Sequence, residues 1–120
     1  MIRKDDRSNI KQGSIIGPGT HIDGQVLFSG TLYVDGSIAG SVGAPSDQTA
    51  TLVISEKARI DGEVRVSHMM VAGSINGPVT SNQAIEFRPS AHVTGDVNYR
   101  RIEMHRGSII EGRLTPQIAD

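Results

Sequence analysis

In 120 residues the chain holds 24 Ile and Val against four Leu, with 14 Gly, four Phe and Tyr together, no Trp, no Cys and a formal net charge of −1. β-Branched residues favour strands and a core of small aliphatic side chains, the near-zero charge excludes an overall basic field for nucleic acid, and the missing cysteines exclude disulfides, thiolate catalysis and cysteine-bound metals. No run approaches 18 consecutive apolar residues and the N-terminus lacks the apolar core of a secretory signal, so the expected location is the cytoplasm.

Residues 1–13 are polar and charged without periodicity and are read as a flexible tail. Arg3, Lys4, Arg7 and Lys11 stand there against Asp5 and Asp6. From Ser14 onward one unit recurs: apolar-x-Gly-x-apolar. It appears first as Ile22-Asp-Gly-Gln-Val26. It then appears twice in tandem within Val34-Asp-Gly-Ser-Ile-Ala-Gly-Ser-Val42. Gly43–Thr49 reads as an inserted loop. The unit returns at Ile60–Val64, in tandem again in Val71-Ala-Gly-Ser-Ile-Asn-Gly-Pro-Val79, at Val93–Val97 and at Ile110–Leu114. The two tandem stretches lie 37 residues apart and agree at six of nine positions. Residues 115–120 are a short C-terminal tail.

The last apolar residues of the six clusters, Val26, Val42, Val64, Val79, Val97 and Leu114, are separated by 16, 22, 15, 18 and 17 residues. Inside each cluster apolar residues alternate with period 2, which is the strand pattern. Gly36, Gly62 and Gly95 fall on the inward parity, where a bend needs positive φ or leaves no room for a side chain. A strand repeat of this length is too short to bury its own apolar face. It is solved by a coil of three short strands whose hydrogen bonds close onto the coils above and below. The expected coils are Ser14–Val26, Leu27–Val42, Ala50–Val64, Arg65–Val79, Thr80–Val97 and Asn98–Leu114, a solenoid domain over residues 14–114.

A solenoid has two ends, and neither terminal segment reads as a cap. The last coil carries Ile102, Met104, Ile109, Ile110 and Leu114, and the first carries Ile15, Ile16, Ile22 and Val26. Uncovered strand edges pair with other edges, so the expected partner at each end is a second copy of the chain.

These features together, above all Val34–Val42, Arg59-Ile-Asp-Gly-Glu-Val64 and Ile109-Ile-Glu-Gly-Arg-Leu114, resemble the bactofilins over about residues 14–114. The resemblance implies a right-handed, single-stranded parallel β-helix of about six windings. It implies end-to-end filaments, non-polar and formed without nucleotide. It also implies a cytoskeletal scaffold on the inner face of the membrane that recruits cell-wall or other morphogenesis proteins. Met1-Ile2-Arg3-Lys4 is similar to the short membrane-targeting stretch of the family. Many members use an aromatic residue in the last winding for polymer contact. No Phe stands there, which leaves Tyr99, Met104 or Leu114 for the role.

No catalytic, metal or cofactor site is expected. His21, His68, His92 and His105 form no close metal spacing, although His21 and His92 both precede an apolar-x-Gly unit and are placed on one face. Asp23, Asp35 and Asp61 precede glycine and read as turn residues. There is no nucleophile-elbow motif and no phosphate-binding Gly-x-x-x-x-Gly-Lys-Ser/Thr loop. Two alternatives stand beside the scaffold. One is a hexapeptide-repeat acyltransferase, for which Ile54, Ile60 and Val66 fall six apart before the pattern fails. The other is a monomeric binding module, for which no aromatic or single-sign stripe is visible.

Overall fold

The computed structural model describes residues 7–10, 14–44 and 50–116. Within them the chain is all-β, and every strand pair is parallel. The strands wind through three faces, about six times. The first face stacks Ser14–Ile16, Gly30–Val34, Ala50–Ile54, the second half of Val64–Val71, the second half of Val79–Phe87, and Arg101–Met104. The second stacks His21–Asp23, Ser37–Ala39, Arg59–Asp61, Ser74–Asn76, His92–Thr94 and Ile109–Glu111. The third stacks Arg7–Ile10, Gln25–Phe28, Val42–Gly43, the starts of the two long strands, Val97–Tyr99 and Leu114–Pro116. The result is a parallel β-solenoid.

Because each coil lies in register on the next, one inward position becomes one column of side chains. Val26, Val42, Val64, Val79, Val97 and Leu114 form such a column. Ile22, Ile38, Ile60, Ile75, Val93 and Ile110 form the second. Ile16, Val34, Ile54, Val71, Phe87 and Met104 form the third. Through the first five coils every member is at most 1% exposed. Columns of mostly β-branched side chains fill the narrow interior, with Phe28 and Phe87 the two buried aromatics, each buried side chain contributing about 1.5–3 kcal/mol.

The repeated glycine unit serves two different corners. Six instances turn the chain from the second face to the third, at Gly24, Gly40, Gly62, Gly77, Gly95 and Gly112. All six have positive φ, and a Cβ on any of the last five would sit 1.9–2.5 Å from the carbonyl oxygen of the glycine one coil earlier. The remaining two, Gly36 and Gly73, turn the chain from the first face to the second. Their φ is ordinary, but a Cβ would meet Thr20 O or Ser55 O at 2.3 Å. Positive φ and crowding therefore act together at the first of these corners, and crowding alone at the second.

The corner from third face to first is tied by buried serines. Ser81 Oγ donates to Ser67 O at 2.6 Å, and Ser67 Oγ accepts from Ala50 N at 3.2 Å. Val64–Val71 and Val79–Phe87 run through this corner with a register shift between Val66 and His68, which lets one coil carry an extra residue there. Gly43, expected at the start of the inserted loop, instead ends the strand Val42–Gly43. Arg7–Ile10, inside the segment read as a tail, forms a strand paired with Gln25–Phe28.

Candidate functional site

Among the described residues His68, Glu86, Arg101 and Glu103 line a groove of about 510 Å³ on the first face, and the other chemistry-bearing side chains are spread over the outside of the solenoid. His21 and His92 share one column on the outside of the second face, with Ser37, Arg59 and Ser74 between them. His21 Nδ1 lies 2.7 Å from Ser37 Oγ, and His92 Nε2 lies 3.3 Å from Glu111 Oε1. The aspartates read as turn residues bond to other side chains: Asp35 accepts from Ser55 Oγ and Asp61 from Arg59 Nε. Glu86, Glu103 and His105 form the one group of three His, Asp or Glu within metal-ligand reach among the described residues. There His105 Nε2 reaches Glu86 Oε2 at 2.8 Å and Glu103 Oε2 at 3.3 Å, while Arg88 donates to the same Glu86 oxygen at 3.1 Å. The hydrogen bond from His105, then that from Arg88, hold the Glu86 carboxyl below its ordinary range. The group fastens the last coil to the fifth, linking Glu103 and His105 to Glu86 and Arg88.

The ends of the solenoid are different. At the C-terminal end Arg101–Met104, Ile109–Glu111 and Leu114–Pro116 are each paired on one side only among the described residues. The inward columns come to the surface there. Met104 is 46% exposed above Phe87 at 0%, and Leu114 is 41% exposed above Val97 at 0%. Ile102 and Ile110 are partly buried against the core. Ile109 points outward on the second face and is 49% exposed. Tyr99, also partly buried against the core, lies one coil in, with its strand paired to Pro116. Around the apolar centre Arg101, Glu103, Arg106, Glu111 and Arg113 are exposed and of both signs.

The N-terminal end presents edges without the same apolar surface. Arg7–Ile10, Ser14–Ile16 and His21–Asp23 each lack a second strand neighbour among the described residues. Yet Ile16, Ile22 and Val26 are 0–1% exposed. Ile15 is 65% exposed but points outward from the first face. Met1, Ile2, Arg3 and Lys4 lie outside the described residues.

The fold defines the chain as a parallel β-solenoid whose terminal strands each have one neighbour among the described residues, and such edges pair with other edges. The chain belongs to the bactofilin family, whose model, described as polymer-forming cytoskeletal, matches residues 14–115. It is similar to Bactofilin BacO of Myxococcus xanthus (strain DK1622), with 19% identity over 108 residues that cover 90% of this chain and 82% of that protein. No solved structure matches it. The chain is thus a member of a structural, polymer-forming family.

Proposed function

We propose that this chain builds nucleotide-independent, non-polar filaments by end-to-end contact, beginning at its C-terminal coil, and that the filament is a scaffold on the inner face of the membrane. The observation that carries the reading is the opening of the inward columns in the last coil, at Met104 and Leu114, beside strands with a free edge. Apposing two such coils removes that apolar surface from water and supplies the missing edge partners. Mixed charge around the rim lets two identical surfaces meet without a single-sign repulsion. Ile102 and Ile110 sit within the same contact. The N-terminal coil, with Ile15, Ile16, Ile22 and Val26, completes the filament through its edges.

Attachment to the membrane is assigned to Met1-Ile2-Arg3-Lys4. A basic residue near an anionic leaflet contributes about 1 kcal/mol. One tail binds weakly, and many tails on one filament bind by avidity. The partners recruited there are cell-wall-modifying or other morphogenesis proteins, as the family resemblance implies.

The test is negative-stain electron microscopy of wild type and Leu114→Arg, without nucleotide or metal. The expected result is thin filaments of uniform width for wild type and isolated rods or short oligomers for the variant, because the substitution puts a charge into the apposed apolar surface. Long filaments from a folded Leu114→Arg protein refute the C-terminal contact.

A further inference from the structure

The two ends of the solenoid differ in one further respect. At the N-terminal end an extra strand, Arg7–Ile10, lies parallel on Gln25–Phe28, with Ser8 in register on Val26 and Ile10 on Phe28. Val26 and Phe28 are 0% and 1% exposed, whereas Leu114, at the other end of the Val26 column, is 41% exposed. The strand therefore sits where a further coil would sit, but on the third face alone. Ser14–Ile16 and His21–Asp23 have no strand above them among the described residues. The end is a step, one strand spacing or about 4.8 Å high. Two such ends cannot bring all three faces to hydrogen-bonding distance at once. If step meets step, two faces stay apart. If each step fills a gap on the other copy, one face still lacks a strand.

We propose that Arg7–Ile10 is an autoinhibitory strand. It holds the edge of Gln25–Phe28 that a second copy needs, so assembly pauses at pairs joined by their C-terminal coils until the strand leaves. The inference deepens the end-to-end reading above and rests on it. The strand is short, four residues with one strand neighbour, and a single pairing of that size is marginal. Asn9 is a poor strand former. Ser8 takes the register position that Val or Leu takes in the six coils below it, so the column gains little apolar burial there. Such a segment opens locally at a small fraction of the cost of unfolding the stack. A docking coil offers pairing on three faces in exchange for one weak strand. At the C-terminal end no strand covers Arg101–Met104, Ile109–Glu111 or Leu114–Pro116 among the described residues. The two contacts therefore form in order, the C-terminal one first.

The chain has no cysteine, so one disulfide can lock the strand. Asn9 and Leu27 are Cα partners, and partners on adjacent strands fall within the span of about 4.4–6.8 Å that a disulfide bridges. Asn9→Cys/Leu27→Cys is oxidised while dilute, concentrated, and then reduced with dithiothreitol, with sedimentation velocity and electron microscopy at each stage. The expected result is pairs without filaments when oxidised, and filaments from the same sample once reduced. In a Leu114→Arg background the oxidised pairs should fall to single rods, because the pair is held by the C-terminal coils. Ser8→Pro/Asn9→Pro acts in the opposite sense. Strand N–H groups alternate in direction, so one of the two prolines removes a donor to Gln25–Phe28. That variant should assemble at about tenfold lower protein concentration than wild type, the factor for an open end populated about one part in ten. Oxidised protein that forms filaments as long as the reduced sample, or a proline variant that assembles at the wild-type concentration, overturns the proposal. So does oxidised protein that stays as single rods with Leu114 intact, which would put the N-terminal contact first. Filaments absent from wild type and reduced protein alike refute the end-to-end reading itself.

Discussion

Replacing Gly62 by alanine is the sharpest test of why the repeat carries glycine. The new Cβ would stand 2.1 Å from Gly40 O and 2.6 Å from its carbonyl carbon, at a φ of +147°. Ordinary contact begins near 3.4 Å, so the two coils must part by more than an ångström at this corner. The backbone conformation itself costs an L-residue about 1–3 kcal/mol. Parting the coils weakens the bonds on either side, Gly40 N to Asp61 O at 2.7 Å and Val42 N to Glu63 O at 2.8 Å. Each such bond contributes about 0.5–1.5 kcal/mol net. The total is about 2–6 kcal/mol, a large part of a typical domain stability of about 5–15 kcal/mol. Gly43→Ala is the comparison, because its Cβ would meet nothing closer than Arg65 O at 3.6 Å and its φ is ordinary. Its expected effect is within about 1 kcal/mol. Urea unfolding followed by circular dichroism measures both, in a Leu114→Arg background so that assembly does not add to the apparent stability. Equal unfolding midpoints for the two variants would refute the steric account of the glycine column.

Other expectations follow from single contacts. Ser81→Ala removes the donor to Ser67 O in a fully buried corner and should cost about 1–3 kcal/mol in the same unfolding assay. Glu86 has a depressed folded carboxyl, so its contribution to stability is present above the ordinary carboxylate value of 4.5 and is lost as pH falls through the lower folded value. The urea midpoint should therefore drop below about pH 5, and Glu86→Gln should flatten that drop; an unchanged acid limb would refute the link to His105 and Arg88. Ile110→Arg should shorten filaments as Leu114→Arg does, read by electron microscopy, because both stand in inward columns of the last coil.

Much of the solenoid was legible in the chain because period-2 alternation and the closing residue of each cluster both report the inward column. Val26 through Leu114 could be aligned by eye, and they do stack. The two roles of the glycine unit were not legible. Val34-Asp-Gly-Ser-Ile38 and Ile38-Ala-Gly-Ser-Val42 look alike as text, and only the path of the chain separates a corner that needs positive φ as well as space from one that needs space alone. The strand at Arg7–Ile10 offered no alternation of its own, and its pairing comes from the edge of Gln25–Phe28. The difference between the two ends likewise depends on tertiary burial of Ile16 and Ile22, which have the same local pattern as their exposed C-terminal counterparts.

The glycine corner also bears on how the chain finds its register while folding. In all six coils three residues separate the apolar residue before that corner from the one after it, as in Ile22 to Val26 and Ile110 to Leu114. The other two corners vary in length. A coil that slips by one or two residues brings a side chain onto a carbonyl and is rejected locally, before the stack above it forms. A slip by a whole coil keeps glycine over glycine and escapes that check. Against this second error the chain has its irregular corners, including the extra residue beside Ser81. Coils that skip a neighbour meet a corner of the wrong length, so the unevenness of the repeat works as an address for each turn.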